Sequence, residues 1–289
     1  MELVVTLRKR DMLDKLAPLV DGIIVGKFFT TGFNYTLDEI KEINDYCKNH
    51  NRKIYIVLDD FISENDKEQL VNYLHFIKDL NVDGIYFHDL GVYDAAKMYS
   101  LNNKLIYDGK TVLCNSLDTA YMLKKVDSVV ISRELTLEEI NTIVRNNQGK
   151  VDLQIFGHVR LSYSKRKFLK NYFKEINKEY DYLNKETLTI AEEQRDYRFP
   201  IMETADGTYI YSDYIFEMMS EIVDIKPYIK RGIIDTLFID DNIVIQACRN
   251  YRRITSENKE FLKHNLLHNY PENYSNGYFY LKTNITKDE

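Results

Sequence analysis

Short apolar runs rich in β-branched residues alternate with longer amphipathic stretches along most of this chain. Strand-like runs fall at 3–7, 22–26, 53–58, 84–88, 104–107, 128–132 and 151–156, with a further one at 236–240. Helical periodicity fills the gaps over 11–20, 37–49, 64–80, 93–100, 117–125, 137–145 and 243–251. Thr36 with Glu39 and Thr136 with Glu139 are capping-box pairs, and Ser63 is another N-cap candidate. Buried strands separated by helices predict a parallel sheet. Eight such units predict a closed TIM-like (β/α)8 barrel, with an open doubly wound sheet as the structural alternative. The chain has no Gly-x-Gly-x-x-Gly turn to support a dinucleotide site.

The rhythm breaks once. Residues 160–232 read as an insertion after strand seven. It holds a basic, aromatic helix candidate at 164–183 and a hairpin over 199–212 turned at Asp206-Gly207. From that position it is expected to sit over the C-terminal mouth, where barrel enzymes bind substrate. Residues 1–255 are expected to form the barrel, and 256–289 a polar, aromatic extension on its exterior.

With 44% apolar and 29% charged residues, the chain reads as globular rather than disordered. A net charge of -6 gives no general pull toward nucleic acid, so an RNA contact needs a local basic patch. Cys47, Cys114 and Cys248 lie far apart without metal-ligand spacing. With no signal peptide read at the start, the expectation is a reduced, cytoplasmic protein. No apolar run approaches the roughly 18–20 residues needed to span a bilayer, so no membrane partner is expected.

In a barrel, chemistry gathers where strands end. Those positions hold Lys27, Asp59, Asp60, His88, Asp89, Asp108, Lys110, Asn115, Arg133, Glu134, His158, Arg160 and Asp240. His88 and Asp89 are a base and a carboxylate side by side, but chain neighbours tend to point apart, and Asp89 is equally a helix cap. Arg133 offers a fork for carboxylate or phosphate that Glu134 would hold, or the two make a structural ion pair at the rim. Beyond Phe156 the chain runs through His158 and Arg160 into Lys165, Arg166 and Lys167. These basic residues are interleaved with Tyr163, Phe168, Tyr172 and Phe173. That mixture suits a phosphate backbone with stacked bases, and also an ordinary amphipathic helix with lysines in water.

The stretch Ser132-Arg133-Glu134-Leu135, followed by Glu139-Ile140, resembles peptidase family U32. Residues 153–173, with Ser164-Lys165-Arg166 and Asn171-Tyr172-Phe173, resemble the family's signature strand and loop, in its shorter Firmicute form. Pro200-Ile201-Met202-Glu203 and Gly207-Thr208-Tyr209-Ile210, with Ser212, resemble a third segment in the same order. The resemblance implies a barrel and, besides the proteolysis in the family name, hydroxylation systems acting on tRNA wobble uridine or ubiquinone precursors. It also implies an iron–sulfur cluster on four cysteines in several members. Here the signature histidine corresponds to Phe156 and the cysteines to Arg160 and Lys167, so no cluster cofactor is expected in this chain. His158, two residues along, is expected to face as Phe156 does.

The resemblance thus implies a subunit of wobble-uridine hydroxylation, with tRNA and a longer, cysteine-bearing relative as partners and with catalysis here left open. Arg133, Glu134, His158, His88 and Asp89 are its candidate catalytic residues. Arg160, Lys165, Arg166, Asp108, Asn115 and Tyr163 are its candidate substrate or RNA contacts. No metal ligands are proposed. The alternative is a collagenase-like peptidase, although the chain has no His-Glu-x-x-His and its histidines are scattered.

Overall fold

The computed structural model describes residues 1–191, 193 and 196–281. Strands β1 (Glu2–Thr6), β2 (Gly22–Val25), β3 (Lys53–Leu58), β4 (Gly84–Phe87), β5 (Leu105–Asp108), β6 (Ser128–Val130) and β7 (Val151–Ser164) each pair in parallel with the one before. Strands β8 (Thr189–Ala191), β9 (Arg198–Glu203) and β10 (Thr208–Glu217) follow as an antiparallel set. β11 (Arg231–Ile234) then pairs in parallel with both β7 and β1, closing an eight-stranded barrel. β12 (Tyr274–Ser275) adds to the free edge of β10.

The helices are α1 (Leu13–Leu16), α2 (Leu37–Asn49), α3 (Lys67–Leu80), α4 (Leu90–Lys97), α5 (Ser116–Met122), α6 (Leu137–Asn146), α7 (Phe168–Glu175), α8 (Ile222–Ile225), α9 (Asp241–Arg253) and α10 (Lys259–Asn269). Both capping boxes form as read: Thr36 and Glu39 start α2, and Thr136 and Glu139 start α6. Ser63 instead caps a 3-10 turn, Glu64–Asp66, that leads into α3. The helix read at 11–20 is broken into short turns around α1, because Pro18 cannot donate within it.

Alternation along each strand divides the core. Val4, Ile24, Tyr55, Tyr86, Ile106, Val130 and Ile233 fill the barrel interior. Their neighbours, such as Val5, Ile23, Ile56, Ile85 and Val129, pack outward against the helices. At the N-terminal end the interior is polar. Arg231 donates to Asp152 and Ser128, both at 2.8 Å, and to the Tyr55 hydroxyl at 3.1 Å, while Tyr86 donates to Asp152 at 3.0 Å.

This network explains the main correction to the strand reading. The eighth strand is Arg231–Ile234, not 236–240, and the insertion therefore ends just before it. Arginine and glycine read as loop in isolation, but Arg231 lies inside the barrel, where Asp152 neutralises it. Residues 236–240 form a turn with Phe238 at positive φ, and Asp240 caps α9.

β7 does not stop at Phe156. It runs on as a hairpin partner of β10, bending at Gly157, whose φ is +121°. The insertion helix is shorter than read, spanning α7 alone. The hairpin at Asp206-Gly207 forms as expected between β9 and β10. In the tail, Leu262 and Leu266 of α10 are buried, and Phe279 packs edge-on against Phe216 of β10 at 5.4 Å. Residues 282–289 of the expected extension lie outside the described residues.

Candidate functional site

At the C-terminal end the strands deliver charged side chains into one cleft of about 850 Å³, counting its opening to solvent. Asp59 and Asp60 follow β3, Asp108 ends β5 with Lys110 two residues on, and Arg133 follows β6. His158 and Arg160 come from the bent part of β7, Arg8 follows β1, and Asp235 follows β11.

These groups neutralise one another. Arg133 grips Asp108 with both arms, at 3.0 and 3.2 Å, and donates its Nε to Gln154 at 2.7 Å. Lys110 bridges Asp108 at 2.8 Å and Asp59 at 2.7 Å. Arg160 donates to Asp60 at 3.0 Å and to the Asp59 carbonyl at 3.1 Å. Arg8 donates to Asp235 at 2.8 Å and to the Thr31 carbonyl at 2.6 Å. Each cation is matched by a carboxylate, so the cleft has little net field with which to trap an anion.

Burial opposes ionisation of Asp108, but Arg133 and Lys110 outweigh it and hold the group well below the usual carboxylate range. Asp59 is depressed in the same way, against burial, by Lys110 and Arg160. Asp60 goes the other way. Burial and the neighbouring Asp59 charge push it up to about 6, despite Arg160 and the Tyr209 hydroxyl, which donates to it at 2.6 Å. Burial lowers both His88 and His158, favouring neutral imidazoles.

Of the residues read from the sequence, Asp59, Asp108, Lys110, Arg133, Glu134, His158 and Arg160 line this cleft. His88 sits at its rim, with Nδ1 2.9 Å from the Asp108 carbonyl and its ring edge-on to Phe61 at 4.9 Å. Tyr163 also stacks on Phe61, at 5.4 Å. Asp89 is occupied by the backbone, accepting from Gly91 at 2.7 Å and Ile62 at 3.0 Å. Asn115 caps α5 through Leu117 and Asp118. Lys165 and Arg166 are exposed beyond the end of β7 and outside the cleft.

Phe156 and His158 do not share a face, contrary to the expectation from alternation. Phe156 is fully buried and edge-on to Tyr251 of α9 at 6.2 Å, whereas His158 lines the cleft with Nδ1 2.8 Å from the Ser212 carbonyl. The positive φ of Gly157 breaks the two-residue period between them. Arg8, Gln154, Tyr209, Tyr211 and Asp235 were missed by the sequence reading. Arg8 carried the strand-end signal, directly after the first strand. Asp235 was hidden by the misplaced eighth strand, and the two tyrosines by lying on the insertion.

An eight-stranded parallel barrel with a charged, ion-paired cleft under an antiparallel flap is a barrel of the TIM type. The chain belongs to peptidase family U32, whose sequence pattern matches residues 29–289. It is 25% identical to tRNA hydroxylation protein P2 of Bacillus subtilis (strain 168) over 66% of this chain and 64% of that one. Identity to tRNA hydroxylation protein P1 of the same organism is 26%, over 48% of this chain and 33% of the relative. The chain thus spans less than two thirds of the length of these relatives. The U32 peptidase Mk0906 superposes with a TM-score of 0.50 at 15% identity, covering 81% of this chain and 92% of that one, a likeness of fold.

An iron–sulfur cluster, which the resemblance implies for several members, needs convergent thiolates. Cys47 is buried in α2, Cys248 is buried in α9, and Cys114 is exposed after β5. Burial pushes both the Cys47 and Cys248 thiols up to about 12. Of the two residues that the resemblance sets against signature cysteines, Arg160 is held by Asp60 and Lys167 by the Thr204 and Ala205 carbonyls. The residues present do not fit such a cluster. Among the described residues, no helix is long and apolar enough to cross a membrane.

Proposed function

We propose that this chain is a component of tRNA wobble-uridine 5-hydroxylation, working beside a longer, cysteine-bearing relative and contributing no cluster of its own. The observation that carries the reading is the nearly neutral, hydrogen-bonding cleft in a chain similar to two tRNA hydroxylation proteins. A cleft whose cations are already paired suits an uncharged planar base better than a phosphate. The Phe61, Tyr163 and His88 rings offer a stacking face at its rim. Arg133 and Gln154 supply hydrogen-bonding groups on its wall. Taking a base out of a strand into such a pocket is how enzymes reach a buried ring atom.

A peptidase reading has less support. Ser212 Oγ donates to the Tyr214 carbonyl, while His158 contacts the Ser212 carbonyl rather than its hydroxyl, so the pair is not arranged as nucleophile and base. The deciding experiment deletes the gene and quantifies modified nucleosides in bulk tRNA by mass spectrometry. The 5-hydroxyuridine-derived species are expected to fall. They should return with the wild-type gene but not with a folded Arg133→Ala, Arg160→Ala double variant. An unchanged nucleoside profile in the deletion strain would sink the proposal.

A further inference from the structure

The insertion carries a surface that the cleft does not use. None of the residues of α7 is buried, yet its first turn is bolted down. Glu203, fully buried, accepts the Leu169 amide at 2.7 Å and the Lys170 amide at 3.3 Å, and the Thr208 hydroxyl donates to it at 2.8 Å. Lys167 donates to the Thr204 carbonyl at 2.9 Å. The segment resembling the family's Pro-Ile-x-Glu thus supplies a long-range N-cap to this helix.

A helix mounted in this way has no need to expose aromatic rings, but Phe168 is 41% and Tyr172 57% exposed. Four residues apart, they share one edge of the outward arc. Lys170 and Lys174, also four apart, take the other edge, with Asn171 and the exposed Glu175 between. Behind them Phe173 stacks on Tyr180 at 4.9 Å and Tyr182 at 5.8 Å. Residues 165–178 hold Lys165, Arg166, Lys167, Lys170, Lys174 and Lys178 against the single carboxylate of Glu175, in a chain of net charge -6. Of the carboxylates just beyond, Glu179 and Asp181, the latter is paired with Lys185. Flat rings on one edge and cations on the other, with Lys165 and Arg166 ahead of both, match a single strand crossing the helix, whose bases stack and whose phosphates carry the charge.

We infer that the α7 face is a platform for single-stranded RNA. Phe168 and Tyr172 stack on unpaired bases, Lys165, Arg166, Lys170 and Lys174 hold the flanking phosphates, and Glu203 is the positioning residue. The identity of the RNA rests on the tRNA reading above, whereas the platform itself rests on the exposed rings and local charge.

The test measures fluorescence anisotropy of the full chain with bulk tRNA and with a uridine-rich single-stranded oligonucleotide, across a salt series. Lys170→Glu with Lys174→Glu is expected to weaken binding at least about tenfold and to flatten the log-affinity against log-salt slope by roughly 1–2. Phe168→Ala with Tyr172→Ala is expected to weaken it at least about thirtyfold with the slope unchanged. Glu203→Ala should lower affinity without changing the slope, and Glu203→Gln, which keeps an acceptor, should recover part of the loss.

Binding within twofold of wild type in both surface double variants overturns the inference. So does absence of RNA binding, or binding confined to anionic vesicles of phosphatidylserine and phosphatidylcholine. If deleting the gene leaves tRNA nucleosides unchanged while the α7 variants lose RNA, the hydroxylation reading falls and the platform stands. If the deletion abolishes 5-hydroxyuridine and the α7 variants restore it fully, the platform falls.

Discussion

Arg133 holds Asp108 through both ends of its guanidinium, Nη1 to Oδ1 at 3.0 Å and Nη2 to Oδ2 at 3.2 Å. The fork joins the ends of β6 and β5, and Lys110 continues the chain of charge to Asp59. A lysine at position 133 keeps the charge but cannot bridge both oxygens. Arg133→Lys should therefore destabilise the fold by about 1–3 kcal/mol, and Arg133→Ala by about 3–5 kcal/mol, since Asp108 then stays buried with Lys110 alone. Urea denaturation at neutral pH measures both. A loss in Arg133→Ala no larger than in Arg133→Lys would show that the pair matters little.

Asp60 gives a pH signature. Its folded value of about 6 lies above the ordinary 3.8, so the folded chain binds this proton more tightly than the unfolded chain. The stability this adds is full below about pH 4 and is lost as pH rises through about 6. Asp60→Asn removes that dependence, so the variant should gain on wild type by about 2–3 kcal/mol between pH 4 and pH 7. Parallel stability curves for the two proteins over that range would refute the assignment.

Gly157 should tolerate no side chain. A Cβ there would lie 2.4 Å from the Asp235 carbonyl oxygen, on a backbone with φ of +121°. Gly157→Ala should cost more than about 3 kcal/mol, combining strain with a clash that backbone cannot relieve. Thermal unfolding reads this directly, and a Tm within a few degrees of wild type would mean that β7 can bend elsewhere.

Placing a histidine at position 156 should not create a cleft histidine. Phe156 faces α9, so Phe156→His buries an imidazole in an apolar layer and should destabilise by about 1–3 kcal/mol. NMR titration of the new ring is the check. An imidazole titrating near its ordinary value, with stability unchanged, would place position 156 in the cleft after all.

Much of the barrel is legible locally. Thr36 and Glu39 form their box from residues within one turn, and the first seven strands lie close to their apolar runs. The eighth strand is not legible in this way. Arg231 belongs in a strand because Asp152, 79 residues away, meets it inside the closed barrel. That misplacement in turn concealed Asp235, the partner of Arg8, although Arg8 itself follows an apolar run that was read correctly.

The amino-acid sequence by itself determined the alternation of elements, a parallel α/β architecture and the collection of charge at strand ends. These depend on periodicity, capping and burial preference, which act between near neighbours. Tertiary structure alone decided which charges meet, as Arg160 and Asp60 do across 100 residues. It also decided that Gly157 turns His158 toward the cleft and Phe156 away, and that Glu203 caps a helix more than thirty residues before it. Those outcomes follow from barrel closure and from one backbone bend, whose effects reach residues that no local pattern connects.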